Sequence, residues 1–261
     1  MTTAYERMQA ARQKGRPTAL FYINQLFTDF LEMHGDRRFA DDPAIVAGVA
    51  RLNGQPVTVI GIEKGMHTEE KIARNFGSAH PEGYRKALRL MKQAEKFSRP
   101  VFCLIDTSGA FCGIGAEERG QGQAIAENLM TMMGLNVPIV SLVIGEGGSG
   151  GALALGVADR VWMLENAVYS VISPEGAASI VWKDAAKAPE ASEALKLTAN
   201  DLLGFGMVER IFSEENGDFT ALADTLRAAL AQEFSELSAL PVKELTQRRY
   251  DKFRRIGGDE P

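Results

Sequence analysis

The sequence predicts an α/β fold in which helices cover a parallel sheet, and two features carry that expectation. First, β-rich apolar runs alternate with helical stretches: strand 101–105, helix 116–133, strand 138–144, helix 149–157 and strand 160–164. Second, two glycine-rich turns sit where a strand hands over to a helix. One is Asp106-Thr107-Ser108-Gly109-Ala110; the other is Gly145-Glu146-Gly147-Gly148-Ser149-Gly150-Gly151-Ala152. Glycine lets another molecule approach the main chain closely, and a helix start offers N–H groups that have no partner inside the helix. Two such sites, one strand–helix unit apart, can hold a developing negative charge without any catalytic side chain. The pattern points to oxyanion chemistry.

The other elements follow in order. Residues 3–14 and 18–33 read as two helices broken at Gly15-Arg16-Pro17, with Leu20, Ile23, Phe27, Phe30 and Leu31 giving the second an apolar stripe. A polar loop spans 34–43. Residues 45–52 and 57–62 are β-rich runs joined through Asn53-Gly54, the strongest short hairpin signal. Residues 64–80 are charged and lack a clean period, and a loop of that length is often functional. Pro81 opens an amphipathic helix reaching Phe97, with Tyr84, Ala87, Leu88, Met91 and Ala94 facing inward. A short strand at 168–172 precedes a helix that begins at Pro174-Glu175. Helices at 190–196, 198–204, 219–237 and 241–255 complete the chain. No repeat or low-complexity linker divides it, so one domain with helical ends is expected.

With 261 residues, 45% apolar and 24% charged, the chain has the composition of a globular protein able to bury a large core. A net charge of −5 argues against a dedicated nucleic-acid binder. The local exception, Arg248-Arg249, Lys252 and Arg254-Arg255, reads as a solvated or interface face of a helix. Cys103 falls inside a buried strand and Cys112 in the next loop, a pattern suited to a reducing cytoplasm rather than to a disulfide. His34, His67 and His80 are too scattered for metal-ligand spacing and no CxxC pair occurs, so no metal is expected in this chain. The first residues lack the apolar core of a signal peptide. No run approaches the ~18 apolar residues of a membrane span.

Three readings compete for the second turn. Gly147-Gly148-Ser149-Gly150-Gly151 satisfies the G-x-S-x-G nucleophile elbow, yet all three histidines precede Ser149, whereas that fold places its base after the serine. A relay through an earlier histidine stays open. Residues 145–150 also satisfy G-x-G-x-x-G, with Glu165 about 20 residues on, where a dinucleotide fold places its ribose acid. Against it, the following helix is short for a βαβ crossover, and the first turn is left unexplained. The third reading is that both turns only let helices pack closely on the sheet.

Several long strings resemble the alpha subunits of the bacterial acetyl-CoA carboxylase carboxyltransferase over roughly residues 20–255. They are His34-Gly35-Asp36-Arg37, Asn75-Phe76-Gly77, Pro81-Glu82-Gly83-Tyr84 and its continuation to Met91, Ala116-Glu117-Glu118-Arg119-Gly120-Gln121, residues 145–152, and Ser170-Val171-Ile172-Ser173-Pro174-Glu175-Gly176. The family commonly has proline where Ser108 stands and tyrosine-proline where Phe111-Cys112 stands; Gly109 and Ala110 are kept.

The resemblance implies a crotonase-like (ClpP/crotonase) fold of repeated ββα units with helical N- and C-terminal extensions. Its parts would be a helical segment at 1–36, a carboxyltransferase core at 37–215 and C-terminal helices at 216–261. It implies transfer of a carboxyl group from carboxybiotin, held on the biotin carboxyl carrier protein, to acetyl-CoA, giving malonyl-CoA for fatty acid biosynthesis. In this family the alpha chain chiefly receives biotin. A beta subunit bearing a four-cysteine zinc ribbon receives the acyl-CoA, commonly in a tetramer of two alpha and two beta chains. Biotin carboxylase belongs to the larger complex. The Gly150 and Gly151 amides would then donate to the ureido oxygen, Gly109 and Ala110 would be the matching donors of the first turn, and Gly147 and Gly148 would join Gly150 and Gly151 in receiving biotin. The missing side-chain base is accounted for, because the cofactor brings the hard chemistry and the protein brings geometry and dipoles. A non-catalytic scaffolding subunit is the alternative from another class.

Overall fold

The computed structural model describes residues 2–214 and 217–258. Asn53 and Gly54 both adopt positive φ, 49° and 84°, as a two-residue hairpin turn demands. They close β2 (Ile45–Leu52) onto β3 (Gln55–Ile62) with Leu52 opposite Gln55. From β3 the sheet becomes parallel through β4 (Val101–Thr107), β5 (Ile139–Gly148), β6 (Arg160–Leu164) and finally β8 (Arg210–Phe212). An outer strand, β1 (Thr28–Glu32), lies antiparallel to β2, and β7 (Val168–Ser170) pairs with the end of β5 beyond its contact with β6.

Every residue of β4, and β5 from Ile139 to Gly145, is buried, the signature of parallel strands covered on both faces. The Pro81–Lys96 helix buries Tyr84, Ala87, Leu88, Met91 and Ala94 as its period predicts. One core cluster runs from Ala19 to Leu245, so the Ala19–Leu26 helix and the C-terminal helices share it with the sheet, while Met8 and Ala11 of the first helix pack separately with Val168 and Leu197. Cys103 lies in that core, where burial pushes its thiol up to about 12, while Cys112 is exposed; both are free.

The structure corrects several sequence expectations. The helix expected over 18–33 ends at Leu26, and residues 28–32 form β1 instead. Gly48 makes this possible: a side chain there would collide with the Leu31 carbonyl, so β1 approaches β2 closely and sheet pairing overrides helical spacing. The helix expected over 116–133 is two, Ile114–Glu118 and Gln121–Gly134, because Gly120 turns left-handed (φ 82°) between them. The helix after the second turn stops at Leu153, and residues 64–80 contain a short helix, Thr68–Ala73.

The basic C-terminal cluster is not a solvated face throughout. Arg249 is fully buried and bonds both oxygens of Asp159 (2.8 and 2.7 Å) and the carbonyls of Met132, Leu135 and Val137. It thereby gathers main-chain oxygens at and just beyond the end of the Gln121–Gly134 helix, where helical pairing runs out. Lys252 is buried beside it and pairs with Glu209 at 2.7 Å.

Candidate functional site

The two glycine turns meet at the carboxyl ends of β4 and β5. Thr107 pairs with Gly147, and a side chain at Gly148 would collide with the Ser108 carbonyl. Farther on, a Cβ at Gly151 would stand 2.5 Å from the Ala110 nitrogen and 2.9 Å from the Tyr84 hydroxyl, so this glycine is required by the close approach of the first turn. Gly147 has the ring of Tyr169 in the same place. Gly150 is different: a Cβ there meets only Ile125, at an ordinary 3.6 Å. Gly109 faces open space, and its φ of 151° is what calls for glycine.

The main-chain amides divide into committed and free. Gly109 N–H donates to the Thr107 hydroxyl at 3.0 Å, and Phe111 N–H donates to the Ala79 carbonyl at 3.0 Å. The Ala110, Gly150 and Gly151 amides have no acceptor among the described residues. Gly150 and Gly151 stand in the first turn of the Ser149–Leu153 helix, whose leading N–H groups have no acceptor within it. Of the six predicted site residues, Ala110, Gly150 and Gly151 therefore bring free donors together. Gly109 spends its donor locally, and Gly147 and Gly148 lie within β5.

The segment beyond the first turn is pinned. Gln121 donates from Nε2 to the Ala79 and Phe111 carbonyls, both at 2.9 Å, and the Phe111 ring stacks on His80 at 4.0 Å. Tyr84 is fully buried, and its hydroxyl has no hydrogen-bond partner among the described residues. Burial, helped by the charge of Asp42, pushes that phenol above its ordinary value.

Behind the turns runs an ionic chain that the sequence reading missed. Lys64 Nζ lies 2.7 Å from Asp106 Oδ1 and 2.8 Å from Glu146 Oε2, and Arg12 Nε holds the other Glu146 oxygen at 2.7 Å. Burial alone would lower the Lys64 pKa, yet the two carboxylates hold it above its ordinary value. Burial would raise Glu146, yet Lys64 and Arg12 hold it below. The available signal was positional: Asp106 and Glu146 end successive parallel strands, where ligand sites of α/β sheets gather. These residues line a cavity of about 220 Å³ with Arg16, Lys71 and Ser108. A larger groove, about 1150 Å³, opens at the other end of β6 beside Asp159, Arg248 and Ile256, away from both turns.

Two rival readings, the nucleophile elbow and the dinucleotide turn, lose their support here. Ser149 is exposed at φ 50°, but no histidine bonds it: His34 is on Asp41 at 2.9 Å and His80 on Asn75 at 3.1 Å. The Ser149–Leu153 helix has five residues, and the carboxylate of Glu165 is held by Arg7 and Ser213. Among the described residues no group of three or more His, Cys, Asp or Glu side chains is placed to hold a metal ion, and no helix is long and apolar enough to cross a membrane.

The sheet with its two apposed glycine turns has a crotonase-like architecture, and the comparisons with known proteins supply the class, that of carboxyltransferases. The fold matches transcarboxylase 12S, described as a hexamer with methylmalonyl-CoA bound, with a TM-score of 0.71 and 20% identity over 87% of this chain and 42% of that one. It also matches a Pseudomonas malonate decarboxylase hetero-tetramer in complex with coenzyme A, at TM-score 0.66 and 18% identity over 83% and 90%. In sequence, residues 1–257 match the family model "Acetyl co-enzyme A carboxylase carboxyltransferase-like". The chain is 60% identical over 255 residues to the acetyl-coenzyme A carboxylase carboxyl transferase subunit alpha of Ruminiclostridium cellulolyticum, covering 98% of both. It is 56% identical to that of Streptococcus pyogenes serotype M5, covering 98% of this chain and all of the relative. The chain belongs to the acetyl-CoA carboxylase carboxyltransferase family and is an alpha subunit of that enzyme.

Proposed function

We propose that this chain, together with a beta subunit, moves a carboxyl group from carboxybiotin on the biotin carboxyl carrier protein to acetyl-CoA, yielding malonyl-CoA in the cytoplasm. The observation that carries the reading is the cluster of unspent amides, Ala110, Gly150 and Gly151, where the two turns touch. That cradle fits a ureido group, a planar neutral acceptor whose oxygen gains charge during transfer. Carboxybiotin, when bound, supplies the carboxyl group and the base that the chain lacks.

The protein's part is electrostatic. Amides fixed by a pinned loop and a helix start need no reorganisation when charge develops, and each such donor is worth ~3–4 kcal/mol of barrier. Donors from two different elements fix direction as well as strength, so the oxygen is held in one orientation. The flanking elements expose large apolar side chains: Ile114 and Met130 on the helices before β5, then Leu153, Val171, Ile180 and Val181 after it. A partner chain would cover such a surface. The beta subunit, carrying a zinc ribbon and the acyl-CoA, is the partner we assign, in a tetramer of two alpha and two beta chains. Biotin carboxylase completes the larger assembly.

The test is isotope exchange between malonyl-CoA and biotin with alpha alone, beta alone and both. Exchange is expected only with both, and Gly151→Pro, which deletes one amide and also sets a Cβ against the Ala110 nitrogen, is expected to lower it by at least roughly 10²–10³ in complexes shown to assemble. Full exchange in the assembled Gly151→Pro complex would overturn the role of the turn and favour a scaffolding subunit. Ser149→Ala is expected to keep most of the activity; its collapse in a folded complex would revive the nucleophile.

A further inference from the structure

We infer that Lys64 is a positioning residue for carboxyl transfer: by clamping Asp106 to Glu146 it sets the two amide-bearing turns at working distance and cancels the negative charge behind them. This rests on the oxyanion reading above. The clamp is placed where the sheet is least able to hold itself. The β4–β5 register shifts between Ile105 and Thr107, so the regular ladder is interrupted at Asp106, one residue before the pair Thr107–Gly147. Such irregularities bend a strand and re-aim its side chains. Side chains take over at that gap. Asp106 Oδ1 accepts the Glu146 N–H at 2.9 Å and Lys64 Nζ at 2.7 Å, while Lys64 reaches Glu146 Oε2 at 2.8 Å.

The surroundings are built around this contact. A Cβ at Gly145 would stand 2.5 Å from Asp106 Oδ1, so glycine leaves the space that the carboxylate fills. A Cβ at Gly77 would stand 2.7 Å from Lys64 Cγ and 2.8 Å from the Asp106 carbonyl. Gly77 closes three successive left-handed residues, Asn75, Phe76 and Gly77 (φ 49°, 54° and 76°). A conformation of that kind persists only where its surroundings fix it. Lys64 is thus enclosed from three elements while still bordering the cavity beside Ser108.

Charge explains why a lysine stands there. Asp106 and Glu146 place two negative charges at the base of turns whose amides are to receive a third. Lys64 and Arg12 neutralise both carboxylates. Without Lys64 the carboxylates confront each other with only Arg12 bound to one of them. Repulsion then spreads the strand ends, and an uncompensated charge opposes the developing anion. Displacement of ~1 Å at a reacting centre costs on the order of 10²-fold, so a loss of about 10- to 100-fold in kcat is expected for Lys64→Met in the assembled enzyme, with KM nearly unchanged.

Three further arms separate positioning from bulk structure. Lys64→Arg keeps the charge and is expected to recover most of kcat. Lys64→Met combined with Glu146→Gln removes the repulsion and is expected to exceed Lys64→Met alone by several-fold. Lys64→Met is also expected to regain kcat on acidification relative to wild type at the same pH, because one of two facing carboxylates takes a proton above the usual carboxylate range. The charged groups facing this pair are Arg12, Arg16 and Lys71, with Glu175 on the far side of Arg12.

A kcat within twofold of wild type for assembled Lys64→Met overturns the inference. So does a loss that none of the three arms relieves. Should Lys64→Met fail to assemble, Glu146→Gln alone decides: a several-fold fall in kcat at constant KM supports the clamp, and wild-type kcat rejects it. Gly151→Pro serves as the control. If it stays active, the oxyanion reading fails; if it is inactive while Lys64→Met works normally, only the clamp fails.

Discussion

The two ends of the same parallel strands hold buried ion clusters built to different standards. At the amino ends of β5 and β6, Asp159 accepts the Ile139 N–H at 2.7 Å and receives Arg249, whose remaining donors go to three main-chain carbonyls. Both side chains are sealed, at 0% and 3% exposure. At the carboxyl ends, Lys64, Asp106 and Glu146 keep 17%, 7% and 12% exposure and border a cavity. The first cluster also borders a groove, the larger one, but its two side chains are matched charge for charge and turned away from it, with almost no exposed surface. The second leaves an opening beside free amides. In open α/β sheets, ligands bind outside the carboxyl ends of the strands, and the contrast in finish marks the same end here.

The largest expected effect lies at the sealed end. Arg249→Met strands the Asp159 charge in the core and leaves the Leu135 and Val137 carbonyls without that donor, so about 3–5 kcal/mol of stability should be lost. Chemical denaturation of the isolated chain measures it. A loss below ~1 kcal/mol would mean that the cluster behaves like a surface pair, and the contrast between the ends would fail.

Next comes a contrast within the second turn. In Gly151→Ala the new methyl meets the Ala110 nitrogen at 2.5 Å, so one turn must retreat from the other; in Gly150→Ala it meets only Ile125 at 3.6 Å. Both variants keep their amides. Exchange with the beta subunit is therefore expected to fall by on the order of 10²-fold for Gly151→Ala and to stay near wild type for Gly150→Ala. Equal losses would show that the turn tolerates no side chain at all, and apposition would no longer be the reason.

A smaller effect concerns acid. Burial would raise the Glu214 carboxyl, but Arg16 (2.7 Å) and Asn166 hold it below its ordinary value. A carboxylate lowered on folding adds stability that is complete above its unfolded pKa of ~4.3. That contribution fades as pH falls through the lower folded value. The stability gap between wild type and Glu214→Gln should thus be constant near neutrality and close in acid. A gap that widens in acid would reverse the sign and reject the assignment.

What could be read beforehand followed from local chemistry. Asn53-Gly54, Pro81 and the strand-to-helix glycines each dictate a conformation within a few residues. What could not be read depends on distant partners. β1 was hidden because Phe30 and Leu31 share helical spacing with Ile23 and Phe27, and only the room at Gly48 reveals a strand. Arg249 looked like one of several surface cations because its carboxylate lies 90 residues away. Lys64 sat in a stretch marked only as long and charged, and its partners end two other strands. The turns were legible as places. Which amides remain free was not, since the Thr107 hydroxyl takes Gly109 and leaves Ala110.

The smallest expected effect returns to the contact between the turns. Tyr84 presses its hydroxyl against Gly151, yet that hydroxyl has no partner among the described residues and the residue is fully buried. A buried hydroxyl without a partner costs about 1–3 kcal/mol of desolvation. Removing it while keeping the ring should recover part of that cost, so Tyr84→Phe is expected to be as stable as wild type or up to ~1 kcal/mol more stable. Tyr84→Ala, by contrast, is expected to lose about 3–5 kcal/mol, because the ring fills the core beneath both turns. If Tyr84→Phe instead loses more than ~1 kcal/mol, the hydroxyl is hydrogen-bonded in solution, and the junction of the turns holds an acceptor such as an ordered water.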